Sequence, residues 1–250
     1  MSKVIGIINQ KGGVGKSSTA STLAAGLSLR GYSTLSIDLD SQCNLSYSAG
    51  ANTDGASALG MLLGEIRAED AIQATSLGDI IPASKALAGA DSFITSTGKE
   101  YRLREALEPI QGRYDYIVID TPPALGILTV NALTACRGII IPAQADVYSL
   151  QGIAQLYDTI KTVRKYTNPG LRIEGILLTR YNSRSVLSKQ LAGLIADEAA
   201  KIGTKLFQAT IREAIAVKEA QVMQQTLFQY APKARVTEDY TSFIDELLKE

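Results

Sequence analysis

The 250-residue sequence predicts an α/β fold: one domain on a mostly parallel, twisted sheet with helices on both faces. Three observations carry this expectation. Short runs rich in Ile and Val recur along the chain, helical patterns separate them, and several of the runs stop at glycine, aspartate or proline. Strands that are apolar throughout, rather than at alternate positions, belong to sheets covered on both sides, and alternation with helices implies parallel strands.

The elements follow in order. "KVIGIIN" is a β-branched strand running into a glycine loop, and "KSSTASTLAAGLSLRG" is an Ala/Leu-rich helix closed by Gly31. "STLSIDLD" is a strand ending in acids, "DYIVIDTPP" a buried-type strand stopped by two prolines, and "RGIIIPAQ" another. "SLQGIAQLYDTIKTVRKYTNPG" sets Ile153, Leu156, Tyr157, Ile160 and Val163 on one helical face before Pro169-Gly170 ends it. "LRIEGILLTRYN" is a further strand, and helices are expected over 186–201, 212–222 and 236–249. The least regular stretch, 41–110, is expected to hold short helices and loops on the side where strands end. No internal repeat, low-complexity tract or linker divides the chain, so 1–250 reads as a single domain.

Composition narrows the chemistry. Apolar residues make up 46% and charged residues 20%, ordinary for a globular protein, and no apolar run approaches the roughly 18–20 residues that span a bilayer. The first residues hold too short an apolar run for a signal peptide, so a cytoplasmic location is expected. Cys43 and Cys136 form no C-x-x-C pair and are expected to be reduced. Histidine is absent, which removes His-based zinc sites and Ser-His-Asp or Cys-His catalysis. Net charge is zero, yet 161–235 carries 13 Lys and Arg against 5 Asp and Glu, so the rest of the chain carries a balancing −8. That asymmetry points to an anionic partner or to solvated helix faces.

"INQKGGVGKSS" is a phosphate-binding loop with a departure. The generic pattern has glycine five residues before Gly15; here Gln10 stands there, followed by an extra lysine, Lys11. A helix N-terminus offers free N–H groups and a positive dipole end, and Gly12, Gly13 and Gly15 let the backbone curl around an anion. Lys16 would bridge β- and γ-phosphates, and the Ser17 hydroxyl would bind Mg²⁺. A plain glycine turn explains the glycines but not Lys-Ser at the helix start. Asp120, ending "YIVID", is placed like a Walker-B acid near the metal, although it could also cap the turn before Pro122-Pro123. Asp38 and Asp40 end another strand; either could orient a water, sit in the metal's second shell, or cap a turn.

Together "KGGVGKSS", "DLDSQCNLS", "YDYIVIDTPPALGILTVNAL" and "IIIPAQADVYSLQGIAQL" resemble the ParA/Soj partition ATPases of the deviant-Walker (MinD/ParA) group, a resemblance continued in "LLTRYNSRSVLSKQL" and "IREAIAVKEAQ". It implies a single-domain P-loop NTPase using ATP and Mg²⁺. Lys11, Gly12, Gly13, Val14, Gly15, Lys16, Ser17 and Ser18 would form the phosphate loop, with Lys11 reaching the partner's phosphates across an ATP-sandwich homodimer. A cation supplied in trans stabilises phosphoryl-transfer charge and makes dimerisation and nucleotide state mutually dependent. The resemblance assigns Asp40 to the attacking water, Ser17, Asp40 and Asp120 to the metal, and Asp146 to the interface. It places the adenine pocket at Thr179, Arg180, Ile211 and Arg212. Two departures stand out: Ser41 replaces the proline of the family's D-P-Q, with Gln42 and Asn44 kept, and "ATIREA" lacks the usual Ile-Pro pair.

By the same resemblance, the dimer would bind non-specific DNA through Arg180, Arg184, Lys189, Arg212 and Lys218, associate with the nucleoid, and be released by a ParB-type adaptor that stimulates a weak ATPase. The loop begins by residue 9, so no helix-turn-helix domain is expected ahead of it. The acidic ending "VTEDYTSFIDELLKE" is expected to pack rather than bind membrane as a basic amphipathic helix would. Two alternatives remain: an ATP-switched positioning protein for a non-DNA cargo, and an ATP-dependent carboxylate ligase of the dethiobiotin-synthetase type.

Overall fold

The computed structural model describes residues 2–249. Strands β1 (Lys3–Ile7), β2 (Thr34–Asp38), β3 (Gln73–Thr75), β4 (Gly78–Ile81), β5 (Tyr116–Asp120), β6 (Gly138–Ala143) and β7 (Arg172–Leu178) form one sheet in the order β3-β4-β2-β5-β1-β6-β7. All neighbours are parallel except β3 and β4. The α-helices are α1 (Lys16–Ser28), α2 (Asn44–Ser48), α3 (Ala58–Leu63), α4 (Ala68–Ala71), α5 (Ala90–Phe93) and α6 (Arg102–Leu107) in the first half. They continue with α7 (Ile127–Ala135), α8 (Val147–Tyr166), α9 (Val186–Lys201), α10 (Ile215–Val222), α11 (Leu227–Tyr230) and α12 (Arg235–Leu248).

The unbroken apolar strands are explained by two cores, one on each face. Ile5, Ile7, Val118, Ile140 and Leu177 pack with Leu23 and Leu27 of α1 and with Tyr240, Phe243 and Ile244 of α12. Their strand neighbours Val4, Ile117, Ile119, Ile139, Ile141 and Ile176 point the other way, toward Leu133 of α7, Ile153 and Leu156 of α8, and Ile195 of α9. Side chains alternate across a strand, so both sets must be apolar when helices cover both faces.

Topology then places the site. From β1 the chain crosses through α1 on one face to β2, whereas from β5 it crosses through α7 on the other face to β6. Register aligns Ile7 with Asp120 and Asp38 with Asp120, so the ends of β1, β2 and β5 lie side by side. Open parallel sheets gather ligands at the carboxyl ends of strands, where such crossovers diverge.

The structure corrects three expectations. Within 41–110 the chain forms strands β3 and β4 besides short helices, joined by a tight turn in which Gly78 has φ 113°. These strands are short and partly polar, so their period is hidden in the sequence; Ile80 and Ile81 nonetheless serve opposite cores. The helix expected over 212–222 starts at Ile215, because Ala214 is extended (φ −148°, ψ 137°) and the Arg212 N–H is held by the Asp239 carboxylate at 3.1 Å. Tyr157 is only partly buried, unlike the other residues of its predicted stripe. Gly31 does follow the end of α1 in a left-handed conformation (φ 87°) and donates to Ser28 O at 2.9 Å. Cys43 and Cys136 are both free and buried.

Contact between α1 and α12 depends on Gly26. A Cβ there would lie 2.2 Å from Ile244 Cδ1 and 3.1 Å from the Phe228 ring. Gly-to-Ala normally favours a helix by about 1 kcal/mol. Here overpacking wins, and Gly26→Ala should destabilise the fold by about 1–3 kcal/mol, measured as a lower denaturation midpoint.

Candidate active site

The glycine loop is braced by side chains from beneath it. Asn9, buried, donates to Pro142 O at 2.7 Å and accepts from Lys11 N at 2.9 Å, fixing the loop's first turn to β6. Thr179, just past β7, donates to Val14 O at 2.8 Å, and Gln144 Nε2 donates to Gly13 O at 3.2 Å. Gly13 and Gly15 take φ of 75° and 81°, values that cost a residue with a Cβ. The first helical hydrogen bond of α1 runs from Thr19 N to Gly15 O at 2.9 Å, which leaves the earlier N–H groups for an anion.

Both departures from the generic loop lean on α8. Gln10 Nε2 donates to Gln155 Oε1 and, at 3.4 Å, to Gly152 O. Lys11 Nζ forms an ion pair with Asp146. Asp146 also caps α8, accepting from Ser149 N at 2.8 Å. Partial burial opposes ionisation of Asp146, but the Lys11 and Ser149 hydrogen bonds outweigh it and hold the carboxyl below its usual value. The second lysine, Lys16, is 6% exposed and donates to Lys11 O at 3.0 Å. Burial lowers the pKa of its ammonium, while the charges of Asp120 and Asp40 pull it back up.

Three acids face the loop from the neighbouring strand ends. Asp120 is fully buried, and neither carboxylate oxygen has a hydrogen-bond partner of good geometry. Burial above all, and the Asp38 charge next, raise its pKa well above the ordinary value; Ser17 and Lys16 offset this in part. Burial likewise pushes Asp38 up to about 6, against the hydrogen bonds it accepts. Those bonds come from Ser46 Oγ at 2.7 Å, Ser46 N at 2.9 Å and Asp40 N at 3.0 Å, and Ser46 Oγ in turn accepts from Ala83 N at 2.9 Å. Asp38 therefore organises the segment that carries Asp40. Asp40, 7% exposed, accepts from Gln42 N at 3.0 Å.

This donor set fits a hard divalent cation. Orphaned oxygens on a buried carboxylate are costly unless something pairs with them, and a hydroxyl and a second acid, Ser17 and Asp40, stand close by. Among the described residues no group of three or more His, Cys, Asp or Glu is arranged to hold a metal alone. Mg²⁺ characteristically takes one or two carboxylates and completes its shell with phosphate and water.

A cleft of about 560 Å³ runs from Gly12–Ser18 to Asp40, Gln42 and Tyr47 on one wall and Lys218 and Gln221 on the other. A recess of about 160 Å³ opens beside it and brings together Thr179, Arg180, Ile211 and Arg212 with Gly13 and Ser18. Arg180 holds a left-handed backbone (φ 50°), unusual for a residue with a side chain. Sequence reading did not single out Asn9, Gln144, Gln221 (donating to Ser18 Oγ at 3.0 Å) or Tyr240 in the recess. Asn9 had a local signal, as the polar end of a buried strand; the others are distant in sequence and gave none.

The basic residues divide. Arg184 and Lys189 are exposed on the loop before α9 and in its first turn. Arg180 instead pairs with Glu213, and Arg212 with Asp239 at 2.6 Å, while Lys218 lines the cleft. Arg180, Arg184 and Arg212 border a groove of about 460 Å³ together with Glu213 and Asp239.

Comparison with known proteins agrees with this geometry. A family model described as an AAA domain matches residues 2–173. The sporulation initiation inhibitor protein Soj of Bacillus subtilis (strain 168) is 37% identical, covering 99% of this chain and 98% of Soj. The chromosome partitioning protein ParA of Caulobacter vibrioides is 38% identical over 98% of this chain and 94% of that protein. A Mycobacterium smegmatis structure named cobyrinic acid a,c-diamide synthase, with bound ATP analogue and magnesium, superposes with a TM-score of 0.88 at 32% identity, covering 100% of this chain and 95% of that one. The chain belongs to the ParA/MinD family of P-loop ATPases.

Proposed function

We propose that this protein is a DNA-segregation ATPase that dimerises around ATP, binds DNA without sequence preference as the dimer, and leaves it after hydrolysis. The observation that carries the reading is the pair of lysines in one loop. Lys16 is buried under the loop in the position of a phosphate-binding lysine, whereas Lys11 sits at the rim, tethered to Asp146 at the start of α8. A partly exposed ammonium, separate from the buried Lys16, supports a role toward a neighbouring subunit.

In this reading the loop N–H groups and Lys16 hold the phosphates, and Ser17 and Asp120 hold Mg²⁺, with Asp40 close to it. The ion supplies charge neutralisation on the phosphate oxygens. Asp40 orients the attacking water, and Lys11 of the partner stabilises the charge on the transferred group. The names of Soj and ParA support the partition role. Arg184 and Lys189, exposed and outside the ion pairs that hold Arg180 and Arg212, are the first candidates for phosphate contacts with DNA. A ParB-type adaptor would trigger turnover.

Retention of random-sequence DNA with ATP tests the DNA claim. Binding should need ATP, fall steeply with salt, and weaken uniformly across sequences in Arg184→Ala and Lys189→Ala. Absence of ATP-dependent binding at low salt refutes it. The name of the M. smegmatis protein favours a second reading, ATP-dependent amidation of a carboxylate. That reading requires turnover stimulated by a small carboxylate and a nitrogen donor rather than by DNA and adaptor.

A further inference from the structure

The recess beside the phosphate loop is shaped by a segment with little structure of its own. Residues 204–214 contain no helix and pair with the sheet only through an isolated bridge, Leu206 to Ile176. Strand β7 holds Phe207 N and Ile211 N, at 2.9 and 2.8 Å. Thr204 Oγ1 donates to Ile173 O at 2.8 Å and Tyr181 N to Ile211 O at 2.9 Å, and further anchors come from α12. Glu246 accepts from Gln208 N and Ala209 N, both at 3.0 Å. Asp239 accepts from Arg212 N at 3.1 Å and from its guanidinium at 2.6 and 2.8 Å.

Asp239 and Glu246 are seven residues apart, two turns of helix, so they form one acidic edge of α12. The apolar face beside that edge (Val236, Tyr240, Phe243, Ile244, Leu247) is buried in the core. Phe243 meets Phe207 edge-on at 5.0 Å, and Tyr240 lines the recess with its hydroxyl 3.4 Å from Thr19 Oγ1. The helix is thus fixed to the sheet by its apolar face and grips the segment by its carboxylates. Charge-assisted bonds to backbone N–H groups are among the stronger ones, and the Asp239 side chain is only 12% exposed.

We propose that Asp239 and Glu246 are positioning residues for the nucleotide's base and ribose: the C-terminal helix sets the shape of the recess at Ile211–Arg212, and so sets affinity for that half of the ligand alone. The phosphate half has a separate scaffold. Asn9, Gln144 and Thr179 brace Gly12–Ser18 from β6 and β7, without α12. Disturbing the acidic edge therefore changes one half of the site and spares the other. This deepens the ATP reading above and rests on it.

Calorimetric titration of the full chain in Mg²⁺ with ATP and with inorganic tripolyphosphate, which lacks base and ribose, separates the two halves. Asp239→Ala should weaken ATP about tenfold, the loss expected when the charge-assisted bonds that hold Arg212 are removed, and leave tripolyphosphate within about twofold. Asp239→Asn, whose amide oxygen still accepts from Arg212 N, should lose less. Retained tripolyphosphate binding shows that the variant is folded. Unchanged ATP affinity in Asp239→Ala, or an equal fall for both ligands, overturns the inference. Wild-type protein that binds no ATP overturns the ATP reading with it; wild-type binding with an unaffected Asp239→Ala overturns only the positioning role.

Discussion

Given ATP and Mg²⁺, Asp40→Ala protein should accumulate as a nucleotide-bound dimer that turns over at least about 100-fold more slowly than wild type, whereas Lys11→Ala should remain monomeric. Size-exclusion chromatography with light scattering, beside phosphate release, reads both. The local structure makes the pair interpretable. Asp40 is held in place chiefly through its own N–H, which Asp38 accepts at 3.0 Å, and Asp38 is fixed by Ser46. Removing the Asp40 carboxylate therefore takes away the group facing the cleft and only one local bond, to Gln42 N. Lys11→Ala is similarly contained: Asp146 keeps Ser149 N as a partner, so α8 keeps its cap. What Lys11→Ala loses is the ammonium at the rim. A Lys11→Ala dimer forming at the same ATP concentration as wild type would refute the trans role.

The second large effect has opposite signs for activity and stability. Asp120→Asn should lower Mg²⁺-dependent hydrolysis by about 100-fold or more, yet raise the stability of the metal-free protein by about 1–2 kcal/mol, roughly 2–8 °C in melting temperature. The reason is the buried carboxylate: beside Asp38 and with no hydrogen-bond partner of good geometry, its charged form costs more than Ser17 and Lys16 offset, and a neutral group of the same shape avoids that cost. The sign with pH follows from the direction of the shifts. Asp38 is raised to about 6, and Asp120 is likewise raised well above the ordinary carboxylate value. Raised folded-state values stabilise the neutral acid. This contribution is fully present below the unfolded value, near 3.8, and for Asp38 is lost as pH rises through about 6. Metal-free wild type should therefore lose stability across that window more steeply than Asp120→Asn, measured by thermal melts at constant ionic strength. A destabilised Asp120→Asn at neutral pH would contradict the account.

Much of the candidate site was legible because its chemistry is local. Gly12 to Ser18 lie in one loop, and Asp40 and Asp120 each end a recognisable apolar run. The structure adds that these three chain segments meet, since Ile7, Asp38 and Asp120 share one register. The recess beside the loop was located only as separate residues, Thr179, Arg180, Ile211 and Arg212, and the reason lies in how they are held. Arg180 is held by Glu213 and Arg212 by Asp239 of α12, through contacts that span about 30 residues and leave no periodic trace, while Thr179 is tied to Val14 O and Ile211 N to β7. The same cause explains the helix expected from 212: a run with helical composition yields its first residues to Asp239. Strands β3 and β4 escaped for another reason, being too short and too polar to show alternation.

The sequence by itself determined the fold class, the phosphate loop with its extra lysine, and the acids that stand at strand ends. Those features follow from apolar periodicity, glycine's access to positive φ, and the chemistry of adjacent side chains, all encoded within a few residues. Only the tertiary structure decided what Lys11 rests on, which basic residues are already paired, and what shapes the recess beside the loop. Each of these is a bond between groups brought together by packing. Asp146 reaches Lys11 across 135 positions and Asp239 reaches Arg212 across 27, distances over which a chain carries no local signal of its partner.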